Sequence, residues 1–130
     1  MIVADASVIL EVLLRTADAA RLERRLFGQD ETLHVPHLLD VEVAQVLRRY
    51  VARGEVHPEH GRAAVGLLAR FPLTRYSHEP LMRRVWALRA YLTAYDAVYV
   101  ALAEGLDATL LTRDKRVAHA PGHRATIELV

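Results

Sequence analysis

Four acidic side chains stand where solvation explains them poorly. Asp5, in MIVADASVIL, falls at the end of the apolar run Ile2–Ala4, and Asp114, in LLTRDKRV, follows a second such run, Ala108–Leu111. Glu42, in PHLLDVEVAQVLRRY, has Leu38, Leu39, Gln45 and Val46 three and four residues away. On a helix it therefore lies in the stripe that faces a core, while Asp40 points elsewhere. Asp96, in YLTAYDAVYVALAE, opens a segment that is apolar nearly all round, with Leu92, Tyr99 and Val100 as near neighbours. An unpaired carboxylate is seldom buried, because stripping its water is so costly. Each of these acids therefore requires a cation, a hydrogen-bond cluster or a cleft. Local capping also accounts for some of them singly. Asp5 and Asp114 stand where helices would begin, and Thr93-Ala94-Tyr95-Asp96 fits a capping box in which Asp96 reaches back to the Thr93 amide. For each residue alone, both readings stand.

Jointly the four acids point to one chemistry. Converging carboxylates repel one another and need a counter-charge. A hard divalent cation, Mg²⁺ or Mn²⁺, prefers oxygen ligands and keeps several waters. Such a site suits phosphodiester hydrolysis, where the metal activates water and offsets charge on the phosphate. Arg113, Lys115 and Arg116 surround Asp114 and are candidates to neutralise a phosphodiester backbone, although a solvated surface is the commoner role for such a cluster. His34 and His37, like His57 and His60, are three apart but lack a third ligand in register, so zinc is not expected. No cysteine, Gly-x-Ser-x-Gly elbow or glycine-rich phosphate loop occurs.

These acids need a scaffold, and the chain supplies alternating patterns for one. Strands are expected at Ile2–Ala4, Leu33–Val35, Leu73–Tyr76, Ala108–Thr112 and Thr126–Leu129. Helices are expected at Ser7–Leu14, Asp18–Phe27, Pro36–Arg53 with Gly54 as its stop, Pro58–Ala69, Glu79–Leu92 and Ala94–Glu104 closed by Gly105, with a short turn around Lys115. Strands separated by helices imply crossover connections, hence an α/β fold with a mostly parallel sheet covered on both faces. Ligands in such folds sit beyond the carboxyl ends of the strands, which is where Asp5 and Asp114 fall.

The ordered set Asp5, Glu42, Asp96 and Asp114, in VADASV, PHLLDVEVAQVLRR, YDAVYVALAE and LLTRDKR, resembles the PIN-domain ribonucleases, and among them the VapC-type toxins of toxin–antitoxin pairs. The resemblance spans essentially the whole chain. It implies a three-layer α/β/α domain with a central parallel sheet, metal-dependent endoribonuclease activity, homodimerisation and inhibition by a small antitoxin. Asp5, Glu42 and Asp96 match the family's principal acidic positions, Asp114 matches a more variable fourth, and Ser7 and Thr112 match hydroxyl positions that often line the site. Asp5 and Asp96 would then bind Mg²⁺ or Mn²⁺ directly, with Glu42 and Asp114 binding it or holding its waters. Hydrolysis would leave a 5′-phosphate and a 3′-hydroxyl.

The rest of the chain bounds this reading. Its 130 residues, 52% hydrophobic and 25% charged, are expected to form a single domain over residues 1–130. A net charge of +1 gives no global basic field, so RNA must be met by a local patch. No signal-peptide pattern and no run of roughly 18 apolar residues occurs, so a cytoplasmic protein that does not enter a membrane is expected. Leu22, Leu26 and Phe27, with Leu13 and Leu14, are candidates for an apolar groove that would take an antitoxin helix, or for ordinary core. A haloacid-dehalogenase-like phosphatase would need a second Asp where Ser7 stands. A receiver domain would need a pair of acids at the first strand end. The alternative is a non-catalytic module of the same fold that binds RNA or protein, which would have no use for all four acids.

Overall fold

A computed structural model describes residues 1–28 and 30–130. The strands are β1 (Ile2–Ala4), β2 (Leu33–Pro36), β3 (Leu73–Tyr76), β4 (Thr109–Thr112) and β5 (Thr126–Leu129). The helices are α1 (Ala6–Leu13), α2 (Ala19–Phe27), α3 (Leu38–Ala52), α4 (Pro58–Arg70), α5 (Met82–Ala87), α6 (Ala94–Leu106) and α7 (Lys115–Ala118), and a 3₁₀ turn, Glu79–Leu81, precedes α5. The strands form one sheet in the order β3-β2-β1-β4-β5, and every neighbouring pair is parallel.

Burial follows sheet position. Central β1 is fully buried along Ile2-Val3-Ala4, whereas the edge strands β3 and β5 are only partly covered. That is why the central strand reads as an unbroken apolar run. The chain moves from β1 outward through β2 to β3, then returns to β4 on the other side of β1 and continues to β5. Right-handed crossovers therefore lay α1–α4 on one face and α5–α7 on the other, giving three layers. The order reverses between β1 and β4, so the crevice at a topological switch point opens at their carboxyl ends. Helix α6 lies across β1, β2 and β4 and is buried continuously from Ala97 to Ala103.

Several element boundaries differ from the sequence expectation. Pro36 closes β2 instead of opening α3; the His78 Nε2 accepts the Leu38 amide at 2.9 Å where α3 begins. The expected helix Glu79–Leu92 is a 3₁₀ turn plus the short α5, ending where the Leu88 amide is shared between the Arg84 and Val85 carbonyls. Gly54 takes φ +74 just beyond α3, as a helix stop requires. Gly105 instead stays within α6, whose end is set by Asp107 at φ 51, a conformation Asp tolerates better than most residues. Leu13, Leu22 and Leu26 are core residues, while Phe27 packs edge-on against Phe71 at 5.9 Å. An open apolar groove of about 360 Å³ lies instead between α3 and α4, lined by Ala44, Leu47, Val51, Pro58 and Val65. No helix among the described residues is long and apolar enough to cross a membrane.

Candidate active site at the switch point

Asp5 follows β1 and caps α1. Its Oδ1 accepts the amides of Ser7 at 3.0 Å and Val8 at 3.3 Å and the Ser7 hydroxyl at 2.5 Å. Its Oδ2 accepts the Thr112 hydroxyl at 2.5 Å. Register explains this last contact: Ala4 pairs with Leu111, so the next residue on each strand meets its neighbour. Ser7 Oγ in turn accepts the Arg113 amide at 3.0 Å, and Thr112 Oγ1 accepts the Asp114 amide at 3.0 Å. The two hydroxyls stitch the ends of β1 and β4 together and orient the Asp5 carboxylate between them. Burial pushes the Asp5 carboxyl above its usual range, and these hydrogen bonds only partly offset the rise.

Asp96 sits in the first turn of α6. Its amide donates to Thr93 Oγ1 at 3.2 Å, and the Thr93 hydroxyl donates to Asp96 Oδ2 at 3.2 Å. The cap expected from sequence thus forms, but the Asp96 side chain bonds the Thr93 hydroxyl where the sequence reading had it reach the amide. Burial, and then the neighbouring Asp114 charge, raise the Asp96 carboxyl, against the Thr93 hydrogen bond and Arg116. Glu42, on α3, accepts a hydrogen bond from the Tyr99 hydroxyl at Oε1, 2.6 Å away. Its carboxyl is raised by burial first and then by the charges of Asp96 and Asp5, with the Tyr99 bond opposing. Asp114 differs from these three. Burial opposes its ionisation, but the side chain and amide of Arg116 outweigh it and hold the carboxyl below its usual range.

Asp5, Glu42 and Asp96 come from three separate elements; the charges of Asp5 and Asp96 act on Glu42, and that of Asp114 acts on Asp96. Among the described residues no three His, Asp or Glu side chains form a ready-made cation cage. The cations expected from sequence part company. Arg113 turns away to Asp18 at 3.0 Å and Glu11 at 3.7 Å, Lys115 is exposed, and Arg116 bridges Asp114 at 2.5 Å and Asp96 at 3.8 Å from the rim. Tyr99 is the residue that sequence reasoning passed over. Its signal was a phenol at the centre of a helix of Ala, Val and Leu, because a buried tyrosine hydroxyl needs a partner.

The sequence and the fold both have counterparts among known proteins. The family profile described as PIN domain matches residues 2–122. Ribonuclease VapC12 of Mycobacterium tuberculosis (strain ATCC 25618 / H37Rv) is 42% identical over 130 residues, covering 100% of this chain and 99% of the relative. This chain belongs to the PIN-domain family, in its VapC group. VapC ribonuclease Mb0985 of Mycobacterium bovis (strain ATCC BAA-935 / AF2122/97) is 43% identical over 130 residues, covering 100% of this chain and 98% of that one. At the level of fold, this PIN domain matches the crystal structure of VapBC2 from Rickettsia felis bound to a DNA fragment from their promoter. The TM-score is 0.73 at 13% identity, covering 99% of this chain and 98% of that one.

The donor set suits the divalent cation on which PIN-domain ribonucleases generally depend. It consists of oxygen atoms only, and among the described residues no Lys or Arg offsets Asp5 or Glu42, whose partners are hydroxyls and amides. Mg²⁺ is commonly held by one or two carboxylates plus waters, so it does not require a three-acid cage.

Proposed function

We propose that this PIN-domain chain is a metal-dependent endoribonuclease, the toxin of a toxin–antitoxin pair, and that Asp5, Glu42, Asp96 and Asp114 form its active site. The observation that carries the reading is Glu42 held in the field of Asp5 and Asp96 at the switch point, with neutral donors alone facing Asp5 and Glu42 among the described residues. Mg²⁺ or Mn²⁺ bound there would activate the attacking water and offset charge on the phosphate and the leaving oxygen. Asp5 and Asp96 offer the direct ligands, while Glu42 and Asp114 bind the cation or its waters. Ser7 and Thr112 fix the Asp5 carboxylate in one orientation, and Thr93 does the same for Asp96. Arg116, long and exposed, reaches an RNA phosphate when it leaves Asp114, and Lys115 adds charge beside it. The phosphodiester and water yield a 5′-phosphate and a 3′-hydroxyl.

The names of the relatives support the ribonuclease reading, since VapC12 and Mb0985 are both called ribonucleases. The partners proposed with it are RNA, a cognate antitoxin and a second copy of the chain. Exposed Met82, Trp86 and Tyr95 give α5 and the start of α6 an apolar face for that second copy. The place of action is the cytoplasm, where the RNA is.

The test is cleavage of RNA by antitoxin-free protein with Mg²⁺ or Mn²⁺, beside EDTA and the Asp96→Asn variant. Cutting is expected only with metal and only in the parent, with the variant still folded by its thermal melt. Equal cutting by the variant would put the active site elsewhere. Retained RNA binding with no cutting by the parent would favour a binding module.

A further inference from the structure

Tyr99 is 3% exposed, three residues beyond Asp96 on α6, so the two side chains share one side of that helix. Its ring is packed in the core, while its hydroxyl reaches 57 residues back along the chain to the Glu42 Oε1 on α3. Among the described residues Glu42 accepts no other hydrogen bond, and its Oε2 accepts none. The contact is costly for a tyrosine that merely packs. Glu42 lies in the field of Asp5 and Asp96, and a neutral carbonyl would satisfy the phenol without gathering charge in the core. An ordinary phenol keeps its proton at neutral pH, so the Tyr99 hydroxyl is the donor in this contact.

We propose that Tyr99 is a positioning residue for the active site: its hydroxyl fixes one oxygen of Glu42 so that the other is presented to the divalent cation. This inference rests on the reading of the acidic site given above and adds a residue to it. One helix then performs two tasks. Asp96, in the first turn of α6, supplies a direct ligand, and Tyr99, one turn further, holds the ligand delivered by α3. A carboxylate on a side chain as long as glutamate has several rotamers, and repulsion from Asp5 and Asp96 would favour those that swing it away. The hydrogen bond selects the inward one. Partners of this kind, which orient a ligand without touching the ion, commonly contribute 10–100-fold to metal affinity or activity.

The experiment uses the full chain stripped with EDTA and titrated with Mn²⁺ alone, read by the free-ion electron paramagnetic resonance signal. The variants are Tyr99→Phe, Glu42→Gln, the two combined, and Asp96→Asn. Tyr99→Phe removes one oxygen and keeps the ring, and melting of each metal-free protein reports its folding. Tyr99→Phe is expected to weaken Mn²⁺ binding by about 10–100-fold. The double variant should bind no more weakly than Glu42→Gln, because the hydroxyl acts only through Glu42. In RNA cleavage Tyr99→Phe should need more Mn²⁺ for half-activity, with kcat largely restored at saturating metal and the KM for RNA unchanged. Parental Mn²⁺ affinity in Tyr99→Phe, with Glu42→Gln weakened, would overturn the role of Tyr99 and leave the acidic site standing. Additive losses in the double variant would also overturn it. Parental affinity in Glu42→Gln and Asp96→Asn would overturn the site itself. Should Tyr99→Phe melt too low to titrate, a cycle on cleavage at limiting Mn²⁺ below its melting temperature reads the same coupling.

Discussion

Glu42 on α3 and Glu104 on α6 are both glutamates drawn in from solvent, yet they are held in opposite electrostatic states. Glu104 lies in the fork of Arg84, with Nε 2.7 Å from Oε2 and Nη2 3.0 Å from Oε1, and it also accepts the Arg124 amide at 2.7 Å. That guanidinium, more than anything else, holds its carboxyl below the usual range. Glu42 has a phenol where Glu104 has a guanidinium, and burial and two like charges push it up. The first arrangement ties α5, α6 and the segment before β5 together. The second leaves negative charge uncompensated at the switch point, which is a poor way to stabilise a fold and a good way to attract a cation. The Arg75–Asp40 and Arg25–Glu128 pairs, at 2.7 Å each, belong with Glu104.

The sharpest way to break this contrast is to neutralise each glutamate in turn. Glu42→Gln should lower metal-dependent RNA cleavage by more than the roughly 100-fold that loss of an outer partner can cost, while Glu104→Gln stays near the parent. Urea unfolding should rank them the other way. Glu104→Gln should lose about 1–3 kcal/mol, and Glu42→Gln in EDTA should lose nothing, since the amide still accepts from Tyr99 and sheds repulsion. A smaller effect is expected at the cap of α6. Thr93→Ala should cost about 1 kcal/mol of stability in urea. It should also lower cleavage by about tenfold, because it frees the Asp96 carboxylate as well as the helix end.

The smallest and most diagnostic effect is the sign of the pH dependence in EDTA. A carboxyl raised in the folded state binds protons that the unfolded chain does not hold, so stability rises as pH falls toward the ordinary glutamate value of 4.5. The melting temperature of the parent relative to Glu42→Gln should therefore improve as pH falls from about 7. For Glu104 the folded value is lowered, so its contribution is present above 4.5 and fades as pH drops below that through the folded value. The gap between the parent and Glu104→Gln should close there. Gaps that move in the same direction for both glutamates would remove the contrast.

The fold was legible where periodicity is strong. Ile2–Ala4 and Leu110–Leu111 announced central strands because a buried parallel sheet leaves no polar alternation to confuse the pattern. The break before α6 was legible from the Thr93 cap, but the early end of α5 was not: Glu79–Leu92 has helical spacing, yet the helix stops at Ala87. The leucines of α2 were equally ambiguous, because apolar spacing on a helix marks a buried face without saying what buries it. At the candidate site the four acids were visible as anomalies of pattern. Their partners were partly hidden. Asp5 with Ser7 and Val8, Thr93 with Asp96, and Asp114 with Thr112 and Arg116 are local contacts, whereas Thr112 with Asp5, Tyr99 with Glu42 and Arg116 with Asp96 join distant segments.

The sequence by itself determined the strands, the long helices and the acids that interrupt them, because turns, caps and apolar periodicity act over a few residues. Tertiary structure decided what each charge meets. The order β3-β2-β1-β4-β5 sets Thr112 beside Asp5, and α6 crossing the sheet brings Tyr99 to Glu42. The same packing turns Arg113 toward Glu11 and Asp18, although its neighbours in sequence lie at the site. Whether a buried carboxylate becomes a clamp or a ligand depends on the group placed opposite it. That group is supplied by chain many residues away, which no local pattern records.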